Sequence, residues 1–214
     1  MIEYLKIETP FERDVNGTKK LIEGKFRNET VEYLKDNTWQ FTEKIDGTNI
    51  GIYWDGHNVH FQGRTEKAEI PKHLKEKLVE LFGGNVNEEL FEQTFGEKEV
   101  VLFGEGYGIK IQNGGKYRQD VSFILFDVYF PNQKLWLKRE AVENIASTFG
   151  IDVVPTIFEG TLEDGINYVK RKPKSTIGTA DMEGLVARPK VEIIDRTGHR
   201  VIVKIKVCDF GGLK

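Results

Sequence analysis

Apolar and polar residues alternate through Thr48–Trp54 and again through Val59–Gln62, the period of a strand with one buried face. Between them "WDGHN" supplies an Asp-Gly pair, the signal of a tight hairpin. Trp39–Thr42 has the same character, so the three stretches read as a meander. The period then changes. In "IPKHLKEKLVELFGG" the apolar positions are Leu74, Leu78, Leu81 and Phe82, with Pro71 placed for a first helical turn and Gly83 for a C-cap. Further strands are predicted at Glu99–Gly104, Ser122–Tyr129, Glu183–Ala187 and Val201–Val207, and further helices at Arg139–Phe149 and Leu162–Arg171. Antiparallel hairpins outnumber any regular strand–helix–strand rhythm, which predicts an α+β fold of mostly antiparallel sheets with flanking helices. No repeat, low-complexity tract or long linker interrupts the chain, so residues 1–214 are expected to form one continuous domain.

Composition narrows the chemistry. A hydrophobic content of 39% over 214 residues suffices for a substantial core. No apolar stretch reaches the roughly 18 residues of a membrane span, and "MIEYLKIETPFERD" lacks the apolar centre of a secretory signal, so a cytoplasmic protein is expected, with no membrane partner. A single cysteine, Cys208, excludes an internal disulfide and a cysteine metal cage, and reads as a small packing residue. His57, His60, His73 and His199 have no metal-ligand spacing, and zinc is not expected. The net charge of −3 gives no global attraction to nucleic acid, although a local basic groove can exist on an acidic protein.

One cation breaks the pattern. In "FTEKIDGTNIGIYWDG" Lys44 ends an apolar run and is followed at once by Asp46-Gly47, which reads as a tight turn that fixes the lysine's place and lets a ligand approach the backbone. Such an amine can be a solvated edge charge or, where burial or neighbouring cations disfavour its charged form, a covalent nucleophile. The neighbouring cations are sought in "HRVIVKIKVCDF". There strand periodicity puts Lys204 and Lys206 on one face and Val203, Ile205 and Val207 on the other. Three lysines converging on a phosphate would stabilise its charge.

"KIDGTN" resembles the nucleotidyl-acceptor motif of the covalent nucleotidyltransferases, the superfamily of DNA ligases, RNA ligases and mRNA capping enzymes. "FQGRTEK", "LFGEGYG", "FILFDVYF", "MEGLVARP" and "VIVKIK" follow in that superfamily's order, so the resemblance covers about residues 39–207. Asn49 within the motif and the compact spacing are most similar to ATP-dependent RNA ligases of the bacteriophage nick-sealing type. DNA ligases and capping enzymes more often carry arginine there.

The resemblance implies a ligase catalytic domain of the nucleotidyltransferase, ATP-grasp-like kind. It uses ATP with magnesium or manganese to join 3′-hydroxyl and 5′-phosphate ends, through a lysyl-adenylate and an adenylylated 5′ end. RNA is the preferred partner, a monomer is expected, and a role in RNA repair is implied. Lys44 is the implied nucleophile, with Lys204, Lys206 and Arg64 completing the catalytic set. Glu43, Asn49, Glu105, Phe126 and Glu183 join them in binding the nucleotide: Glu105 at the ribose, Phe126 stacked on adenine. Phe123 is a rival for the stacking role, because the run "FILFDVYF" does not disclose which face meets the base. Glu183 and Asp127 are the implied metal-contacting carboxylates, and Asp46 and Asp127 could instead organise turns.

Two phosphate-binding alternatives are excluded. "FGEGYG" lacks the spacing of a dinucleotide-binding loop, and there is no GxxxxGK[ST] element. Two basic stretches, "GGKYRQD" with Lys116, Tyr117 and Arg118, and "YVKRKPKSTIG" with Lys170, Arg171, Lys172 and Lys174, could each touch a phosphate backbone or form an ordinary exposed surface. After Lys206 only "VCDFGGLK" follows, so no appended OB or C-terminal helical domain is expected. Within this resemblance a minimal ATP-dependent DNA ligase and a non-catalytic nucleotide- or RNA-binding relic remain alternatives.

Overall fold

In chain order, the computed structural model, which describes residues 2–65 and 67–211, forms β1 (Phe11–Arg13), β2 (Leu21–Phe26), α1 (Glu29–Leu34) and β3 (Trp39–Lys44). Next come β4 (Thr48–Trp54), β5 (Val59–Gly63), α2 (Lys72–Phe82), α3 (Asn85–Phe95), β6 (Val100–Gly108), β7 (Val121–Phe130), β8 (Leu135–Trp136), α4 (Arg139–Phe149) and β9 (Asp152–Val153). The last part holds β10 (Thr156–Gly160), α5 (Leu162–Lys170), β11 (Gly184–Pro189) and β12 (Val203–Lys206). These elements fall into two compact units: one takes the chain up to Leu5 and Asp46–Val154, the other Lys6–Ile45 and the chain from Pro155. The mixed, mostly antiparallel fold is the one expected.

The first unit is built on a six-stranded sheet of order β5-β4-β6-β7-β8, with β9 parallel to β7. Alternation decides its core face: Ile50, Ile52 and Trp54 of β4 share it with Val100 and Leu102 of β6 and Phe123, Leu125 and Val128 of β7. Leu74, Leu78 and Phe82 of α2, Phe91 of α3 and Val142 of α4 cover that face. Burying each such large side chain contributes roughly 1.5–3 kcal/mol. Gly83 takes the C-cap of α2 as the sequence pattern predicts, while Pro71 stands just outside the expected first turn, at the N-cap.

The second unit has a four-stranded antiparallel sheet, order β10-β3-β11-β12, and a β1–β2 hairpin. Its core gathers Trp39 and Phe41 of β3, Leu185 and Ala187 of β11, Val203 and Ile205 of β12, and Leu162, Ile166 and Val169 of α5. A capping box in which Thr161 and Asp164 bond each other's backbone starts α5. Among the described residues no helix is long and apolar enough to cross a membrane.

The predicted meander is half right. β4 and β5 pair as a hairpin, but β3 pairs with β10 and β11 and lies in the other sheet. Ile45–Gly47 is therefore a crossover between sheets and not a hairpin turn. Gly47 serves it through close packing, since a Cβ there would lie 2.3 Å from the Gly106 carbonyl oxygen. What approaches the glycine is the backbone of β6. The last predicted strand also shortens, because Val207 already belongs to a 3-10 turn, Val207–Phe210. The final three residues of "VCDFGGLK" lie outside the described residues.

Candidate active site

Register across β3, β11 and β12 assembles the lysines. Gly184 of β11 is opposite Lys44 on one side and Lys206 on the other, and Val186 is opposite Thr42 and Lys204. Residues directly opposite share a face, so Lys44, Lys204 and Lys206 project from one side of the sheet, together with Thr42 and Val186. The other side carries Phe41, Leu185, Val203 and Ile205 into the core. The alternation read from "VIVKIK" is thus realised, and Lys44 is brought beside two lysines some 160 positions later in the sequence.

Glu183 sits at the head of β11 and joins two of them. Its carboxylate lies 2.6 Å from Lys44 Nζ through one oxygen and 2.9 Å from Lys206 Nζ through the other. Glycine follows it of necessity: a Cβ on Gly184 would stand 2.2 Å from the Ile205 carbonyl oxygen and 2.8 Å from Lys206 Cα, both backbone. The two strand lysines are tuned in opposite directions. Burial and the charges of Lys44 and Lys206 hold Lys204 below the usual lysine range, against a weaker pull from Glu8. Burial also works against the charge of Lys206, but the hydrogen bond and charge of Glu183 outweigh it and raise its pKa.

Glu43 does not face this cluster. Strand alternation turns it to the side away from Lys44, where it is 1% exposed. Its carboxylate accepts hydrogen bonds from the Ser175 hydroxyl and from the Thr176 hydroxyl and backbone N–H, the last two at 2.5 and 3.0 Å. The carboxylate expected at the nucleotide is thus engaged inside the second unit. No local pattern in the sequence points to Ser175 and Thr176, whose partner lies on another strand.

The other predicted residues belong to the first unit. Asn49 of β4 is directly opposite Glu105 of β6, and Phe103 follows on the same face two residues along from Glu105. Tyr4 packs edge-on against Phe103 and Phe126, at centroid distances of 5.0 and 5.1 Å, which places Phe126 on that same face. A bulge between β6 and β7 leaves Phe126 without a cross-strand partner, but it keeps the face of Ile124, which stands opposite Glu105. Phe123 points the other way into the core. It is 0% exposed, and a Cβ on Gly104 would lie 2.2 Å from its ring. Of the two phenylalanines weighed for stacking, Phe126 is therefore the one on the outer face, which Tyr129, opposite Val101, shares. Arg64 follows β5 and is exposed.

Asp127 occupies a different place from the metal position expected of it. It is 0% exposed, and its carboxylate accepts the Tyr4 hydroxyl at 2.9 Å. Burial closes it to an ion from solvent. Among the described residues no group of three or more His, Cys, Asp or Glu is gathered to hold a metal. Glu183, half-buried beside the lysines, is the carboxylate that phosphate-borne magnesium or manganese could reach. Such an ion needs only one or two protein carboxylates when phosphate oxygens and water fill its shell.

The basic stretches are less available than their composition suggests. Arg118 is bonded to Asp120 and Asp152, and Tyr117 is buried 6.3 Å from Tyr107. Lys170 pairs with Glu23 and lies over the Phe210 ring, and Lys174 pairs with Asp181.

Known proteins place this geometry. Mutant forms of Naegleria gruberi RNA ligase superpose with TM-scores of 0.63 (with ATP and Mn), 0.65 (apo) and 0.64 (with ATP and Mn), each at 17% identity. The three alignments cover 83, 85 and 93% of this chain and 51, 53 and 55% of those. The chain thus spans about half the length of the structures it matches, and the likeness is one of fold. No curated protein matches its sequence. The family model described as RNA ligase matches residues 37–206, a span that opens just before β3 and closes on Lys206 at the end of β12. By that match over most of its length, the chain belongs to the RNA ligase family.

Proposed function

We propose that the chain is the adenylyltransferase catalytic domain of an ATP-dependent RNA ligase, its two units together making up that domain. The observation that carries this reading is the convergence of Lys44, Lys204 and Lys206 on one sheet face, with Glu183 joining Lys44 to Lys206. In the first step Lys44 Nζ attacks the α-phosphorus of ATP. A P–N bond forms, the P–O bond to pyrophosphate breaks, and the amine gives up its proton. AMP then passes to a 5′-phosphate end of RNA, and a 3′-hydroxyl attacks the activated phosphate and releases AMP. Each displacement depends chiefly on positioning and charge neutralisation.

Lys204 and Lys206 supply that neutralisation at the phosphate. Burial strengthens their effect, because ammonium groups partly removed from water act in a lower dielectric. Glu183 is held by two lysines before substrate arrives, which sets the direction of Lys44. Glu183 would also hold magnesium or manganese, which when bound neutralises phosphate charge. In the first unit, Glu105 and Asn49 are proposed for the ribose, Phe126 for the face of adenine, and Arg64 for a phosphate. The protein is proposed to act as a monomer on RNA ends.

The test is covalent labelling. With α-labelled ATP and magnesium, the protein should carry AMP through a denaturing gel, and Lys44→Arg should carry none, because a guanidinium stays protonated and cannot take the nucleophile's place. Failure of the parent protein to label at any pH or with either metal would refute the proposal.

A further inference from the structure

Glu43 poses a problem of energetics. It is a buried acid held by the neutral donors of Ser175 and Thr176, and burying a carboxylate costs more than burying an apolar side chain of the same size. Two features of the second unit show what the acid holds. It directly precedes Lys44 on β3 and points to the opposite side, so fixing its side chain fixes the rotation of the strand end from which Lys44 projects. Ser175 and Thr176 lie in a hairpin over residues 173–182. The Ser175 N–H donates to the Ala180 carbonyl at 3.0 Å and the Met182 N–H to the Pro173 carbonyl at 3.1 Å. The second arm of that hairpin runs straight into Glu183.

One carboxylate therefore ties the strand carrying Lys44 to the hairpin delivering Glu183. Taking Lys44 as the AMP acceptor, we propose that Glu43, Ser175 and Thr176 form a positioning lock that keeps Lys44 and Glu183 aligned without touching the nucleotide. The Ser175 hydroxyl also accepts the Ile177 N–H at 2.9 Å, which stiffens the turn at the point where it grips Glu43.

The decisive measurement is single-turnover adenylylation of the full chain across ATP concentrations. The variants are Glu43→Gln, Glu43→Ala, the double Ser175→Ala/Thr176→Val, and the triple combining the last two. Misplacement of a reacting group by about an ångström costs on the order of a hundredfold in rate. Glu43→Ala and the double variant should accordingly lose about ten- to a hundredfold in maximal rate, with half-saturating ATP held within about twofold. The triple variant should be no slower than the worse of its parents, because the three residues act as one unit. Glu43→Gln keeps an oxygen for the Thr176 N–H and should recover most of the rate. A raised half-saturating ATP at unchanged maximal rate would make Glu43 a nucleotide contact, and parental kinetics in Glu43→Ala would make the contact inert; either overturns the lock. Amide hydrogen exchange over residues 173–183 needs no AMP transfer. It should quicken about tenfold in Glu43→Ala and stay parental in Glu43→Gln, as expected for a local opening. If the parent protein takes no AMP, the assignment of Lys44 fails and the exchange result alone decides the lock, unchanged exchange refuting it.

Discussion

Lys44 and Lys206 lie on strands that do not pair with each other, yet each stands opposite Gly184, and the two ammonium groups share the carboxylate of Glu183. The sheet order β3-β11-β12 makes this possible, by setting one strand between the two that carry lysine. An acid centred between cations does two things. It offsets their mutual repulsion while the site holds no phosphate, and it aims both amines at the same point.

Removing the charge of Glu183 should be felt first at Lys206. Its pKa is raised because Glu183 outweighs burial, so Glu183→Gln, which keeps the shape, should let burial prevail and lower it. Because the parental pKa is raised, the stability it contributes is present below the unfolded-state value of about 10.4 and is lost as pH rises through the folded-state value. The variant should lose this contribution. A carbon-detected NMR titration of the Lys206 side chain checks the direction; an unmoved Lys206 would show that the pair is not coupled as its geometry implies.

Lys204 carries the opposite sign. Burial and the charges of Lys44 and Lys206 depress its pKa, so at neutral pH the folded protein pays to keep it charged. Lys204→Met should raise the urea midpoint at pH 7 while impairing adenylylation, a trade of function for stability. The gain should shrink as pH rises through the depressed value and vanish above the unfolded value of about 10.4. Urea melts at neutral and alkaline pH test it, and a gain independent of pH would mean that packing, and not charge, is responsible.

The sequence discloses this face of the sheet better than it discloses the sheets themselves. Thr48–Trp54 and Arg139–Phe149 form as predicted from end to end, because each buries one clean face. The separation of β3 from β4 is hidden, since alternation says that a residue is in a strand and not which strand lies beside it. β2 exposes most of its residues and so has no alternation to read. α3 buries only Phe91 and Phe95, with Gly84 at its N-cap and no side-chain bond there, which leaves a thin stripe and no start signal. Within the site, the lysines and Glu183 were legible because strand period and motif order agree. The role of Glu43 was not, since its partners, Ser175 and Thr176, are joined to it only by the folded chain.

The two phenylalanines of β7 should separate cleanly. Phe123 is wholly inside the core, against Phe82 at 5.3 Å, and Phe123→Ala should cost about 3–5 kcal/mol of stability. Phe126 lies on the outer face and touches Tyr4. Phe126→Ala should cost distinctly less stability but weaken ATP binding, visible as a raised half-saturating ATP in the labelling assay. The reverse assignment of the two effects would place the adenine on the core side and refute the proposed stacking role.

Substrate choice can be argued from charge. The chain has a net charge of −3, and Lys170 and Lys174 of its most basic stretch are already paired with acids. With the chain acidic overall and two of the four cations of that stretch engaged, binding should be weak, with a shallow dependence on salt. Discrimination must then come from groups near the reacting ends, where RNA offers a 2′-hydroxyl and an A-form groove that DNA lacks. Nicked duplexes with ribonucleotides or deoxyribonucleotides flanking the break, carrying pre-adenylylated 5′ ends and assayed across a salt series, separate these terms from the first chemical step. Sealing should favour ribonucleotides on the 3′-hydroxyl side and should fail at lower salt than self-adenylylation does. Equal sealing of all-DNA nicks would instead identify a small DNA ligase. Tight binding with a steep salt slope would mean that Lys170–Lys174 leave their acidic partners to grip the backbone.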